Sequence, residues 1–273
     1  MSSAQFAQRS LLTQQSRAHA LEAMTDEQGL DILVIGGGVT GAGIALDAAT
    51  RGLRTGIVEA GDWAAGTSAW SSKLIHGGLR YLYNLDFKLV AEALKERGLL
   101  LTKLAPHLVK AQPFLWPLKL PVIERAYSAV GIGMYDAMAF AGSRGNKTVP
   151  AQRHFTKKGT HKIFPGIKDH KFTGSIQFYD ARVDDARLVV DLIRTASGYG
   201  ALAASRTQVV QILKDSSGTV TGARIRDLET GTEHEVRAKK IINATGVWTE
   251  ETEKLANEDT GLKVLASKGI HIV

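Results

Sequence analysis

Gly36, Gly38 and Gly41 stand in a G-x-G-x-x-G spacing directly behind the apolar run Asp31–Ile35 (Asp-Ile-Leu-Val-Ile), and nothing else in the chain constrains its fold as strongly. A run of that length and composition forms a parallel strand buried on both faces. A helix of small residues is predicted from about Val39 to Arg51, with Gly52 as its C-terminal stop. Thr55 to Val58 reads as a second strand ending in Glu59, so the unit spans 29 residues, the length of a βαβ crossover. Each glycine has a mechanical task. Gly36 permits the tight turn, Gly38 lets backbone approach a pyrophosphate, and Gly41 brings helix and strand together. The helix N-terminus offers unpaired N–H groups to phosphate oxygens. Glu59, eighteen residues after Gly41, is placed to accept both ribose hydroxyls. The competing reading is a glycine-rich turn in an unrelated α/β domain. Strand, helix, second strand and acid in register favour a dinucleotide, but NAD and FAD both use this unit.

The remaining chain has the composition of an ordinary globular protein, 44% hydrophobic and 22% charged, which excludes disorder throughout, a collagen-like fibre and a disulfide scaffold. Without cysteine there is no disulfide, thiolate metal site or cysteine nucleophile, and the compartment cannot be read from redox chemistry. The net charge of +7 permits an anionic ligand or membrane surface without requiring either. The first thirty residues are polar, Gln/Ala-rich and lack a signal-peptide core. Ala126–Gly142 is the most apolar long window, but it carries Asp136 and is too short and too charged to span a bilayer well. It is expected to be a buried helix. The alternative is a surface helix resting on a membrane through Tyr127, Met134, Tyr135, Met138 and Phe140.

Asp86 is placed to cap a helix whose apolar face runs through Leu89, Val90, Ala93, Leu94, Leu100, Leu101 and Leu104, ended by Pro106. Residues 106–125 hold four prolines and read as irregular chain or edge strand. Between Arg144 and Lys171 lie eight Lys or Arg against one acid, expected to be a solvated loop face. Asp184 or Asp185 can cap a further helix carrying Leu188, Val189, Leu192, Ile193 and Ala196. Thr207–Leu213, Thr219–Arg226 and Thr232–Ala238 then read as an antiparallel meander, and Ile241-Ile242 as a separate buried strand that breaks at Ala244-Thr245-Gly246.

Two blocks make the chain resemble a known family. Ile35-Gly36-Gly37-Gly38-Val39-Thr40-Gly41-Ala42-Gly43-Ile44-Ala45-Leu46-Asp47, running on to Arg51-Gly52, resembles the signature of FAD-dependent glycerol-3-phosphate dehydrogenases. Ser72-Lys73-Leu74-Ile75-His76-Gly77-Gly78-Leu79-Arg80-Tyr81-Leu82 is similar to that family's second block. Weaker echoes lie at Tyr135-Asp136, Val183–Leu188, Asn243–Gly246 and Ser267–Val273. Val247 stands where the family usually has proline, and the chain stops at Val273, so it reads as an N-terminal fragment. The resemblance implies an α/β fold: a Rossmann-like FAD-binding domain with a mostly parallel sheet and a β-meander insertion, and part of an α+β substrate domain. The expected boundaries are a tail over 1–30, an FAD-binding domain over 31–105 and 176–258, and a partial substrate domain over 106–175 and 259–273.

The chemistry implied is oxidation of sn-glycerol 3-phosphate to dihydroxyacetone phosphate by hydride transfer to flavin N5, with electrons passed on to a quinone. His76 and His271 are the candidate bases or polarisers; the competing reading for each is a packed histidine. Arg80 suits the substrate phosphate through its guanidinium fork, with Tyr81 beside it. Besides Gly36, Gly38, Gly41 and Glu59, the expected FAD contacts are Ala60, Thr67, Ser68, Ser72, Lys73, Leu74, Thr245 and Gly246. Lys73 would stabilise reduced-flavin charge. Trp63 and Trp70 are expected to be packing residues. No metal site and no nucleic-acid partner is expected. Peripheral attachment to the inner face of a cell membrane, on the cytoplasmic side, follows from the quinone reading, aided by the basic stretch 144–171. The alternatives are an oxidase that returns electrons to oxygen and a non-catalytic FAD-binding fragment.

Overall fold

The computed structural model describes residues 2–79, 81, 84–120, 122–143, 148–168, 172–257, 261 and 263–265. The described residues fall into two units. One holds residues up to Ser72 and from Asp185 onward; the other holds Lys73–Asp184. This differs from the expected boundaries near 105 and 176. Residues 73–105 belong with the second unit because their helix packs on the helix over 123–142 and their short strand pairs with the strand ending at Arg182.

The first unit is built on a six-stranded sheet. It comprises β1 (Leu30–Ile35), β2 (Thr55–Val58), β7 (Leu202–Ala204), β8 (Thr207–Lys214), β9 (Val220–Asp227) and β10 (Glu233–Asn243), in the order β7-β2-β1-β10-β9-β8. The β7-β2-β1-β10 half is parallel and the β10-β9-β8 half antiparallel, so the sheet is mixed. The third meander strand and the Ile241-Ile242 strand are not separate elements. β10 pairs with β9 through Glu233–Arg237 and with β1 through Ala238–Asn243, so one continuous strand serves both halves.

Alternation along the central strands feeds two cores. Leu33, Ile35 and Val58 join Val209, Ala223, Ile225 and Val236 on one side. Val34 and Ile57 join α3 (Val39–Thr50) and α7 (Asp185–Gly198) on the other, where Ala42, Ala45 and Ala49 of α3 meet Val189, Ile193 and Ala196 of α7. Alanines at that spacing let α3 lie close to its neighbours, which a helix of larger residues could not do.

The first thirty residues are not a tail. They form α1 (Ser3–Arg9) and α2 (Gln14–Met24), both with capping boxes, and α2 buries Ala20, Leu21 and Met24 in the first core. Gly56 of β2 makes room: a Cβ there would lie 2.9 Å from the Met24 sulfur. Phe6 of α1 meets Tyr199 edge-on, ring centroids 5.3 Å apart.

In the second unit, β6 (Gly174–Arg182) pairs along its whole length with β4 (Lys110–Leu118), and at its two ends with β3 (Leu74–Ile75) and β5 (Arg153–Thr156). Pro113 and Pro117 of β4 share one edge of that strand, which only an edge strand tolerates. Two helices pack here: α4 (Phe87–Leu99), capped by Asp86 at 3.1 Å, and α5 (Ile123–Gly142). A short helix, α6 (Lys157–Ile163), caps the β5 end. α4 departs from its expected face. The turn Leu100–Leu104 is π-helical, so the apolar periodicity slips after Leu99 and Leu104 is exposed; within the helix itself Leu89 is exposed and Arg97 buried. No described helix is long and apolar enough to cross a membrane.

Candidate functional site

The glycine loop sits between β1 and α3 and is shaped by close backbone approaches. Gly36 has φ +111, a conformation that suits glycine, and a Cβ on it would lie 2.5 Å from the Ala244 carbonyl oxygen. A Cβ on Gly41 would fall 1.9 Å from the Gly36 carbonyl oxygen. These two contacts draw strand, loop and helix together. Gly38 is the N-cap of α3 and supplies no capping side chain, and the only described atom near its missing Cβ is Ser68 Oγ at 3.1 Å. The helix end is therefore crowded by Ser68 alone among the described atoms near Gly38, and helix N-termini of this kind suit phosphate groups.

Glu59 leaves the end of β2 half-buried. Its carboxylate accepts the Gly37 N–H at 2.7 Å and the Gly61 N–H at 2.6 Å, which fixes the side chain at the loop. Trp63 packs against Gly37, where a Cβ would lie 2.5 Å from the indole. Ser68, on a 3₁₀ turn over Thr67–Ala69, accepts the Val39 N–H at 2.9 Å. It thus stands at the position facing the α3 N-terminus. Thr67 is exposed beside it, and Ala60 is exposed beside Glu59. Ala244-Thr245-Gly246 closes the loop from the other side: Thr245 donates to Asn243 Oδ1 at 2.6 Å, and Gly246 has φ +58. Trp70 does not pack as expected. It is 80% exposed because the turn carrying it lies on the surface.

So Gly36, Gly38, Gly41, Glu59, Ser68 and Thr245 are brought together around one loop, with Ala60, Thr67 and Gly246 beside them. Ser72 closes the first unit. Its neighbour Ser71 donates its hydroxyl to Asp185 at 2.7 Å, a tie between the 66–72 loop and the start of α7 that sequence reasoning missed. Lys73, Leu74, His76 and Tyr81 belong to the second unit. Lys73 has φ +57 and its carbonyl accepts the Val183 N–H at 2.9 Å; Leu74 pairs with Arg182 in β3; His76 is exposed; the Tyr81 N–H donates to the Gly78 carbonyl at 2.7 Å. Arg80 and His271 lie outside the described residues. No group of metal-ligating side chains occurs among the described residues.

A mixed sheet carrying a β1–glycine loop–α3–β2–Glu59 unit is the dinucleotide-binding class of α/β fold. Residues 31–273 match the FAD dependent oxidoreductase family, and the chain belongs to it. FAD is that family's cofactor. The glycine-lined cradle, the Glu59 carboxylate and the Ser68 hydroxyl fit it.

Curated relatives include the glycerol-3-phosphate dehydrogenase of Mycobacterium leprae (strain TN), 50% identical over 264 residues, which covers 97% of this chain and 44% of the relative. Glycerol-3-phosphate dehydrogenase 2 of Mycobacterium tuberculosis (strain H37Rv) is 51% identical over 257 residues, 94% of this chain and 43% of the relative. The chain thus spans less than half the length of these relatives. Among solved structures, the Bacillus halodurans glycerol-3-phosphate dehydrogenase complexed with FAD superposes with a TM-score of 0.65 at 30% identity, over 88% of this chain and 39% of that one.

Proposed function

We propose that this chain is the flavin-binding part of an enzyme that oxidises sn-glycerol 3-phosphate to dihydroxyacetone phosphate. The observation that carries the reading is the 50% identity to the M. leprae dehydrogenase over 97% of the chain. Bound FAD supplies a hydride acceptor. The chain's own residues do the rest. The Gly36–Gly41 loop and α3 N-terminus hold the pyrophosphate, Glu59 takes the ribose hydroxyls, and Ser68 and Thr67 offer hydroxyls to the phosphates. Thr245 and Gly246 let the backbone pass close to the cofactor. Ser72, Lys73 and Leu74 would contribute to holding the flavin, and the Lys73 ammonium would balance negative charge on it. His76 takes the substrate hydroxyl proton, with His271 the second candidate, and Arg80, with Tyr81 beside it, engages the phosphate.

Electrons pass on to a quinone at the inner face of a membrane in this reading. Support comes from α5, where Ile123, Tyr127, Val130 and Met134 recur along one exposed face, with Ile123 76% and Val130 71% exposed. An apolar stripe of this kind beside cationic chain suits peripheral contact with anionic lipid. Binding to vesicles containing phosphatidylglycerol should weaken with salt; equal binding to neutral vesicles at any salt sinks the membrane contact.

The functional reading is tested by anaerobic titration of the FAD-loaded protein with glycerol 3-phosphate. Bleaching of the flavin band by glycerol 3-phosphate, and not by glycerol, supports it. A bound flavin that keeps its colour restricts these residues to holding the cofactor, with substrate oxidation needing more of the enzyme; protein that binds no FAD removes the reading.

A further inference from the structure

Beneath the turn His76-Gly77-Gly78, three side chains from three elements form a buried polar chain inside the second unit. Arg97 of α4 and Tyr135 of α5 are fully buried, and Asp180 of β6 is 5% exposed. Arg97 Nη1 is ion-paired with Asp180 Oδ1 and donates to the Tyr179 carbonyl at 3.1 Å. The Tyr135 hydroxyl donates to Asp180 Oδ1 at 2.7 Å and accepts the Gly77 N–H at 2.7 Å, and the same N–H reaches Asp180 Oδ1 at the longer distance of 3.4 Å. The Arg97 guanidinium also lies 5.4 Å from the Tyr135 ring centroid.

This chain has one polarity. Asp180 accepts the Tyr135 hydroxyl hydrogen, and the phenol oxygen accepts the Gly77 N–H and, at 3.5 Å, Arg97 Nη1. Burial and the Asp180 charge push the Tyr135 phenol up, so it stays a donor throughout the working pH range. The arrangement is costly as a stability device. Two ions are withdrawn from water, and Arg97 Nε and Nη2 have no hydrogen-bond partner among the described residues. Apolar residues of similar volume would fill this space at lower cost. What the polar chain does that apolar residues could not is hold one peptide N–H. That peptide follows directly on His76. Gly77 can carry no side chain here, since a Cβ would lie 2.5 Å from Leu94 Cδ2 and 2.7 Å from the Tyr135 oxygen. β3 pairing before the turn and the Tyr81–Gly78 hydrogen bond after it hold the two ends.

We propose that Tyr135, oriented by Asp180 and Arg97, is a positioning residue that fixes the Gly77 peptide and through it the placement of His76 for proton transfer. The inference rests on the reading of His76 given under Proposed function. Tyr135→Phe in the FAD-loaded protein removes one oxygen and keeps the ring. It should speed hydrogen exchange at the Gly77 amide about tenfold, the equivalent of one lost hydrogen bond, and shift and broaden the His76 imidazole signal in ¹⁵N-histidine NMR spectra. Exchange at Val90 and Ile176 should stay unchanged. Reduction of the flavin by glycerol 3-phosphate should slow at least about tenfold with FAD affinity unaltered, since positioning contributes to the barrier rather than to cofactor binding.

Unchanged exchange at Gly77 would overturn the inference, as would a loosened Gly77 with an unmoved His76 signal or an unaltered reduction rate. If the unsubstituted protein does not bind FAD, the flavoenzyme reading falls; if it binds FAD but is not reduced by glycerol 3-phosphate, turnover needs more of the enzyme than these residues. The Gly77 and His76 signals then decide positioning by themselves. Should Tyr135→Phe fail to fold, 3-fluorotyrosine at position 135 preserves the packing and weakens the phenol oxygen as an acceptor. Gly77 exchange should then rise about threefold, and no rise would overturn the inference.

Discussion

Single residues of the glycine loop act through space denied to a side chain rather than through contacts made. Gly41 shows this most directly, because one added methyl would have to occupy the volume of the Gly36 carbonyl oxygen. Gly41→Ala must push α3 away from β1, so FAD affinity should fall at least about a hundredfold, with a loss of stability of about 1–3 kcal/mol as for other overpacked sites. Flavin fluorescence titration and thermal melting measure the two effects. Glu59 acts by the opposite means. Both its oxygens accept backbone N–H groups, and in Glu59→Gln one of them becomes an amide donor facing another donor. FAD should bind about tenfold more weakly, roughly 1.4 kcal/mol; an unchanged Kd would remove Glu59 from the site. The tight turn at Gly36 and the close packing at Gly41 were readable from spacing because the loop is local in sequence, whereas the Gly37 and Gly61 N–H groups that Glu59 accepts were not. The burial of Arg97 was not either, since an arginine two residues before a run of leucines carries no sign that a distant Asp180 awaits it.

At the scale of elements, α2 shows how a weakly apolar helix is held in place. Beyond Ala20, Leu21 and Met24, its anchor is Arg17, which reaches Asp227 at 2.5 Å and the Ser205 carbonyl at 2.7 Å. Hydrogen bonding from Arg17 is the largest of the causes that lower the Asp227 pKa to about 2. A carboxyl whose folded pKa lies below its unfolded value near 3.8 stabilises the fold fully above about pH 4 and loses that contribution as pH falls through about 2. Arg17→Met should therefore lower the melting temperature at pH 7, and the gap between variant and parent should close as the pH is taken from 4 towards 2. A gap that stays constant across that range would show that Arg17 acts by packing alone. The helix itself escaped the sequence reading because three buried positions in a Gln/Ala-rich stretch make too faint a periodic signal. β10 escaped for a different reason. A turn-bounded meander strand and a buried parallel strand have different patterns, and only pairing shows that they are one strand.

For the whole molecule, the order of the chain matters more than any one contact. β10 lies between β1 and β9, so the parallel half of the sheet is completed by residues about two hundred positions after its first strand. A chain ending at Gly231 would keep the glycine loop and lose the strand beside it, leaving β1 with an unpaired edge and Leu33 and Ile35 half-covered. Such a truncation should be insoluble or lack native near-ultraviolet circular dichroism, and should not bind FAD. Soluble, FAD-binding protein from that truncation would mean the β1–α3–β2 unit stands without β10. The same topology places residues 73–184 as one continuous insertion between the two parts of the first unit, and the expected boundaries at 105 and 176 missed it because the packing of residues 73–105 is with elements far along the chain.

What the sequence by itself determined are the features whose cause lies within a few residues: the G-x-G-x-x-G turn, the strands flanking it, the Asp86 cap, the edge character of the proline-bearing β4, and the family blocks that name FAD. Their physics is local, a matter of permitted φ values, missing Cβ atoms and side-chain alternation. Only tertiary structure decided which strand pairs with β1, that the first thirty residues are helices packed on the sheet, and that Arg97, Tyr135 and Asp180 meet beneath Gly77. Those outcomes depend on burial and on partners scores of residues away, where the free energy of a contact exists only once the chain has brought both sides together.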